Sequence, residues 1–128
     1  MLYDHLDLRV RSIAGTKPFY DALLPAMGFS KIGGDGESVT YYHESGDRSL
    51  PFFGIIEDPS HAPNGTRTAL AARDRNDVDR LASIARENGA REFEAARICE
   101  EYSPSYYAAF FEDPEGNKFE VCCRTRPA

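Results

Sequence analysis

Two stretches of this 128-residue sequence carry groups that could do chemistry on a small molecule. Near the N-terminus, His5, Asp7 and Arg9 alternate with apolar residues, and near the C-terminus Glu120 stands between two apolar neighbours. Alternate side chains of a β-strand point to opposite faces, so each stretch places its polar groups on one face. Imidazole, carboxylate and guanidinium groups serve in proton transfer and in the recognition of charge. We therefore expect a polar site on these faces.

The basic residues indicate the charge of the expected ligand. By the same alternation, Arg9, Arg67, Arg73 and Lys118 point to the faces that carry the acids, and we weight Arg67 and Arg9 above the other two. This balance favours a small ligand that bears a carboxylate, a phosphate or a polarised carbonyl. The alternative is that Arg9, Arg73 and Lys118 lie near strand ends and reach solvent, as long basic side chains readily do.

Aromatic residues accompany the C-terminal acid. Counting back from Glu120 across a hairpin puts Phe110 and Tyr106 on its face, and Tyr102, in the loop before the hairpin, is a candidate rim residue. We expect Tyr102, Tyr106 and Phe110 to contact a ligand. The wider aromatic set predicts an apolar pocket for a flat ligand, lined by Tyr41, Tyr42, Phe52, Phe53, Tyr102 and Tyr106. The alternative is that most of the aromatic residues only pack in the core.

The hydrophobic pattern of the first half predicts one strand, one helix and then three strands. The expected helix is capped by Thr16, has Pro18 in its first turn and ends at Gly28. The expected strands cover residues 2–10, 29–32, 38–43 and 50–57. We assign residues 1–57 to this first module.

The same order returns after a linker rich in proline, glycine and asparagine, residues 58–65. The second module, residues 66–125, is predicted to contain a strand at 66–72, a helix capped by Asn76 and ended by Gly89, and a strand at 91–98. Its last two strands flank the turn Asp113-Pro114-Glu115-Gly116. The repeat of about 60 residues indicates a duplicated module rather than a solenoid array.

Composition limits the class of protein. A chain of this length is one ordinary domain, and a net charge of −6 without a basic block disfavours a nucleic-acid surface. No apolar run reaches the roughly 18 residues of a membrane span, and the charged N-terminus is unlike a signal peptide, so we expect a cytoplasmic protein that does not enter the membrane. The three cysteines lack disulfide or CxxC spacing and are expected to be buried thiols.

In their order, the motifs DHLDLRV, PFYDALLPAMGF and YYAAFFEDPEGNKFEV resemble the vicinal oxygen chelate superfamily, which includes glyoxalase I, extradiol dioxygenases and bleomycin and fosfomycin resistance proteins. The resemblance implies an α+β fold in one domain, residues 1–128. Two tandem βαβββ modules would form a cupped, partly closed mixed sheet with the helices outside. It also implies a ligand cleft and a homodimer.

Carried over to this sequence, the resemblance makes His5 and Glu120 candidate catalytic groups and ligands of a divalent metal ion. The set is incomplete, because Arg67 stands where a third ligand is expected and guanidinium does not bind cations. The region of the fourth ligand, near Phe52 and Phe53, contains no carboxylate. The alternative is that His5 and Glu120 only hydrogen-bond to neighbours, with Arg67 paired to Glu120 in a metal-free cleft.

Three hypotheses for function follow. The first is a glyoxalase-like lyase or isomerase, or a dioxygenase-like enzyme, acting on an oxygen-rich small molecule. The second is a metal-free protein that sequesters a small molecule, as resistance-type relatives do. The third is a dimeric module without a ligand. The fold alone does not decide among them, because one scaffold hosts many chemistries.

Overall fold

The computed structural model describes residues 2–125. It contains two helices and eight strands in the predicted order, strand–helix–three strands given twice. The elements of the first half are β1 (His5–Val10), α1 (Ile13–Ala26), β2 (Lys31–Gly34), β3 (Ser38–Tyr42) and β4 (Phe52–Glu57). Those of the second half are β5 (Arg67–Ala71), α2 (Arg75–Glu87), β6 (Arg91–Ile98), β7 (Tyr107–Glu112) and β8 (Lys118–Cys123).

The strands form two mixed four-stranded sheets with the same topology. Their orders are β1-β4-β3-β2 and β5-β8-β7-β6, and in each sheet the first strand of the half runs parallel to the last. The remaining pairs are antiparallel. The chain divides into two compact units at Ala62 and Pro63, inside the predicted linker. The predicted α+β fold of two βαβββ modules is confirmed.

Each helix covers one face of its sheet. Helix α1 packs on β3 and β4, and α2 packs on β6, β7 and β8. We call the covered side the helix face and the opposite side the second face. In the second sheet, Phe110 pairs with Glu120 and Ala108 with Cys122, which puts these four residues on the second face. The sequence-based prediction of the face that carries Glu120 is confirmed.

The start of α1 differs from its prediction. Ser12, not Thr16, caps the helix, because the Ser12 side chain accepts a hydrogen bond from the Gly15 amide at 3.1 Å. Thr16 is fully buried within the helix, and its hydroxyl donates to the Ser12 carbonyl oxygen at 2.9 Å. Pro18 therefore lies in the second turn of the helix rather than in the first.

The start of α2 differs from its prediction by two residues. Asp74 is the cap, and its side chain accepts from the Asp77 amide at 2.8 Å, whereas Asn76 lies inside the helix. The helix packs on its sheet through an apolar face whose four residues are buried: Val78, Leu81, Ala82 and Ala85. Gly89 follows the end of the helix with φ +105°, a backbone conformation that glycine adopts without strain.

The turn between β7 and β8 forms as predicted. The Gly116 amide donates to the Asp113 carbonyl oxygen at 3.1 Å. The buried side chain of Asp113 accepts from the amides of Glu115 and Asn117, each at 2.9 Å. This turn sets the register that brings Phe110 opposite Glu120. Within residues 2–125, neither helix is long and apolar enough to cross a membrane.

Candidate functional site

Glu120 is a buried carboxylate on the second face of the second sheet. Its exposed fraction is 9%, and the Tyr106 hydroxyl donates a hydrogen bond to its Oε2. Burial, together with hydrogen bonds to Cys122 and to Glu120, raises the pKa of Tyr106. Tyr106 therefore stays protonated and acts as the donor of this pair. The hydrogen bond explains how a carboxylate is tolerated in the middle of an apolar strand.

One oxygen of this carboxylate remains available. Glu120 Oε1 accepts no hydrogen bond from residues 2–125. In that part of the chain, the one side-chain atom found buried without a partner is Arg75 Nε. Oε1 therefore keeps contact with solvent. A carboxylate oxygen in this state can accept a hydrogen bond or a proton from a ligand.

Two guanidinium groups lie over rings that neighbour this carboxylate. Arg67 Cζ is 5.1 Å from the centre of the Phe110 ring, and Arg124 Cζ is 4.4 Å from the centre of the Tyr106 ring. Both arginines are exposed, and neither makes an ion pair or a hydrogen bond with any of residues 2–125. Their donors are therefore free to receive an anion, while the rings support the guanidinium planes.

The expected ion pair between Arg67 and Glu120 is not formed among the described residues. Glu120 is bonded to Tyr106 instead, and Arg67 stacks on Phe110. The register gives the reason, because Ala69 is the β5 residue opposite Glu120 whereas Arg67 lies opposite Lys118. Lys118 in turn pairs with Glu112 at 3.3 Å.

Tyr102 and two cysteines complete this region. Tyr102 is 59% exposed, and its ring meets that of Tyr106 edge-on at 5.4 Å between centres, which suits a rim position. Cys99 is packed with Tyr106 and Phe110, and Cys122 lies against the same cluster. Both are free thiols whose pKa is raised, above all by burial. The raised pKa values favour packing over nucleophilic roles.

His5 lies on the second face of the first sheet. Its Nδ1 is 2.8 Å from Asp4 Oδ2 and its Nε2 is 3.6 Å from Asp7 Oδ2. The hydrogen bond to Asp4 is the main cause that raises the pKa of His5 above its ordinary value. The ring stacks on Phe52 with 4.6 Å between centres. Arg9, on the same strand, pairs with Asp58 at 3.4 Å.

Comparison with known families identifies the class of protein. The model of the Glyoxalase/Bleomycin resistance protein/Dioxygenase superfamily matches residues 2–121. The chain belongs to this superfamily. This confirms the resemblance found in the sequence motifs. A search of curated protein sequences found no match.

Solved structures of the superfamily share the fold. A glyoxalase/bleomycin resistance protein from Albidiferax ferrireducens T118 is 24% identical with a TM-score of 0.80, covering 99% of this chain and 100% of its own. The fosfomycin resistance protein FosX from Mesorhizobium loti is 16% identical with a TM-score of 0.66, covering 94% and 90%. A superfamily enzyme from Burkholderia phytofirmans PsJN is 17% identical with a TM-score of 0.73, covering 95% and 98%. At these identities the likeness establishes the fold alone.

Within the described residues of this superfamily member, the donor atoms do not make a complete metal site. Among residues 2–125, no group of three or more His, Cys, Asp or Glu side chains could hold a metal ion. Two other side chains of the first sheet region with metal-ligating atoms make hydrogen bonds: Glu57 accepts from the Ile13 amide at 2.9 Å, and His43 Nδ1 contacts Ser45 Oγ at 2.7 Å. Catalytic metal sites usually have three protein ligands. The metal-binding roles of His5 and Glu120 stay predictions.

Sequence reasoning missed Arg124 as a member of the site. It lies two residues beyond Cys122, and therefore has the same strand parity as Glu120. That parity was the available signal. Arg124 lies over the Tyr106 ring because β7 pairs with β8. The residue spacing within one strand does not show which ring of the neighbouring strand the arginine reaches.

Proposed function

We propose that this chain binds a small, oxygen-rich anion on the second face of its second sheet, without a metal ion. One observation carries the proposal: Arg67 and Arg124, both without an ion-pair partner among residues 2–125, accompany a buried carboxylate with one accessible oxygen. A guanidinium group binds a carboxylate or phosphate through two parallel hydrogen bonds. Glu120 Oε1 accepts a hydrogen bond from a hydroxyl of the same ligand.

The rings beneath the arginines serve two purposes in this proposal. Phe110 and Tyr106 are each 6% exposed, so their positions are determined by packing rather than by solvent. They hold the guanidinium planes in place, which reduces the conformational entropy lost when an anion binds. Their remaining surface provides an apolar wall for the carbon skeleton of the ligand. Sequestration is the function supported best, because it requires no group beyond these.

Binding can be tested by calorimetry with D-glycerate, which carries both a carboxylate and hydroxyls. Propionate lacks the hydroxyls, and the methyl ester of glycerate lacks the charge. We expect glycerate to bind at least about tenfold more tightly than either, since a charge-assisted hydrogen bond contributes about 1.5–3 kcal/mol. Equal affinity for all three compounds would contradict the proposal.

Three variants assign the contacts. Arg67→Gln is expected to abolish the preference for glycerate over its methyl ester, and Glu120→Gln to reduce the preference over propionate. Arg86→Gln is the matched control, because Arg86 also stacks on a ring, Phe93 at 5.7 Å, but lies on helix α2. If Arg67→Gln and Arg86→Gln had the same effect, Arg67 would not be the anion-binding group.

A metal-dependent lyase or isomerase, with His5 and Glu120 as catalytic groups, is the second candidate. One contact favours it. The Asp4 carboxylate bonded to His5 Nδ1 is the type of neighbour that orients histidine ligands in metal sites. Metal content distinguishes this candidate from the first.

A further inference from the structure

A ladder of flat side chains crosses the second face of the first sheet. His5 stacks on Phe52 with 4.6 Å between ring centres and 2° between ring planes. Phe52 meets Tyr42 at 5.0 Å, and Arg48 Cζ lies 4.4 Å from the centre of the Tyr42 ring. We call these four residues the ladder. None of the proposed contacts on the second sheet involves them.

The sheet register produces the ladder. His5 is the partner of Phe52 in the parallel pairing of β1 with β4. Tyr42 follows Tyr41, which pairs with Phe53, so Tyr42 lies beside Phe52 on the neighbouring strand. Directly opposed side chains on adjacent strands are within stacking distance. The three rings are therefore held in a row by the backbone.

The ladder is not part of the core beneath the helix. The alternating residues Tyr41 and Phe53, 1% and 7% exposed, point to the helix face and pack there. Tyr42 and Phe52 are only half-buried, and the His5 side chain is 42% exposed. Packing under α1 thus does not account for this row, in which His5 stacks on Phe52 and the Tyr42 ring is tilted by 44° to that of Phe52.

Charge is distributed unevenly along the ladder. Asp4 and Asp7 lie at the His5 end, where both contact the imidazole. At the other end, exposed Arg48 makes no ion pair or hydrogen bond within the described part of the chain and rests only on Tyr42. An anionic group is therefore repelled at one end and attracted at the other.

We propose that the Arg48–Tyr42 end of the ladder binds a planar aromatic anion. The flexible stem of Arg48 allows its guanidinium to rise, so that the flat ring of the ligand stacks on Tyr42 while the ligand's anionic group binds the guanidinium. Phe52 packs against the Tyr42 ring, and His5 packs against Phe52. The proposed contacts involve neither Arg67 nor Glu120.

The test is an NMR titration of the full chain that follows the ring signals of Tyr42 and Phe52. The probes are 2-naphthoate, a planar anion; 2-naphthamide, planar and neutral; and cyclohexanecarboxylate, an anion that is not planar. We expect 2-naphthoate to bind about tenfold more tightly than either of the others, because it alone uses both the ring and the guanidinium.

Variants separate the two contributions. Arg48→Gln is expected to lower the affinity for 2-naphthoate to that for 2-naphthamide, and Arg48→Lys to restore only part of it, since lysine lacks the planar group. Phe52→Leu is expected to weaken both planar probes. Lys17→Gln, which removes a positive charge from helix α1, is the control and is expected to change nothing.

The proposal is overturned if 2-naphthoate leaves the Tyr42 and Phe52 signals unchanged, if it binds no better than 2-naphthamide, or if Arg48→Gln has no effect. Arg67→Gln separates it from the proposal for the second sheet. That variant is expected to weaken glycerate binding while leaving the naphthoate titration as in the natural sequence.

Discussion

Among single residues, Tyr106 supplies the hydrogen bond that stabilises the buried Glu120 carboxylate. The phenol is the one described donor to this buried carboxylate, and an unpartnered buried polar group is costly. In the alternative with Arg67 paired to Glu120, Glu120→Ala would leave a buried Arg67 without its partner. Arg67 is exposed and is not paired with Glu120. In Glu120→Ala the group that loses its partner is therefore the Tyr106 hydroxyl.

Tyr106→Phe is expected to lower the free energy of unfolding by about 1–3 kcal/mol, because Glu120 stays buried without its donor. Urea unfolding followed by circular dichroism measures the change. Tyr102→Phe is the control, since that ring is exposed and its hydroxyl makes no hydrogen bond with residues 2–125. A loss of similar size in both variants would show that the Glu120 contact is not the cause.

Asp77 is expected to make the free energy of unfolding depend on pH. Burial by itself would raise its pKa, but hydrogen bonds from Arg73 and Arg80 outweigh this and lower the pKa to about 2. A folded-state pKa below the unfolded value of about 3.8 stabilises the protein at higher pH, and the contribution disappears as pH falls from about 4 to about 2. It amounts to about 2 kcal/mol.

Unfolding in urea at several pH values tests this expectation. Asp77→Asn should be less stable than the natural sequence near neutral pH and should show a flatter decline in acid. Arg80→Gln should flatten the decline in part, because Arg73 still donates to Asp77. Arg86→Gln, on the same helix but without contact to Asp77, serves as the control. An acid limb unchanged by Asp77→Asn would refute the assignment.

Among the elements, the hairpin of β2 and β3 depends on a glycine. Gly34 has φ +134°, and a Cβ there would lie 2.1 Å from the Ser38 carbonyl oxygen. Gly36, two residues later, has φ +94° but no atom within 4 Å of the corresponding position. Substitutions at Gly34 and Gly36 therefore distinguish the cost of steric overlap from the cost of backbone strain.

Gly36→Ala is expected to cost about 1–2 kcal/mol, the strain of a left-handed conformation. Gly34→Ala is expected to cost more, because the β2–β3 backbone must move to relieve the overlap. Urea unfolding gives the energies, and hydrogen exchange at the Asp35 amide, which donates to the Ser38 carbonyl oxygen at 3.2 Å, reports the hairpin. Equal losses with unchanged exchange would exclude the steric explanation.

For the whole molecule, metal content decides between the two candidate functions. Arg67 stands where the resemblance expects a ligand, and the described donors form no group of three. We therefore expect no stoichiometric metal by elemental analysis of protein purified without chelator and then exposed to nickel, zinc, manganese or iron. A stoichiometric metal that is lost in both His5→Ala and Glu120→Ala would favour the enzyme.

The homodimer implied by the resemblance is a separate prediction for the whole molecule. Light scattering coupled to size-exclusion chromatography is expected to give twice the chain mass of 14.3 kDa. A mass equal to that of one chain, independent of protein concentration, would contradict it.

Local regularities allowed much of the fold to be predicted. The alternation around Glu120 and the Asp113–Gly116 turn correctly assigned Phe110 to the face of Glu120, because strand parity and turn chemistry depend on neighbouring residues. The helix caps were wrong at Thr16 and Asn76. Several capping residues lie near each helix start, and tertiary packing selects one of them.

The sequence by itself determined the order of the elements and the face on which Glu120 lies, but not the place of Arg73, which bonds to Asp77 of helix α2. Only the tertiary structure decided the partners: Tyr106 for Glu120, Phe110 for Arg67 and Tyr42 for Arg48. A face follows from the period of two along one strand. The contact partner of a side chain depends on the register between strands and on how far the side chain reaches. Neither can be predicted from the residue spacing within a single segment.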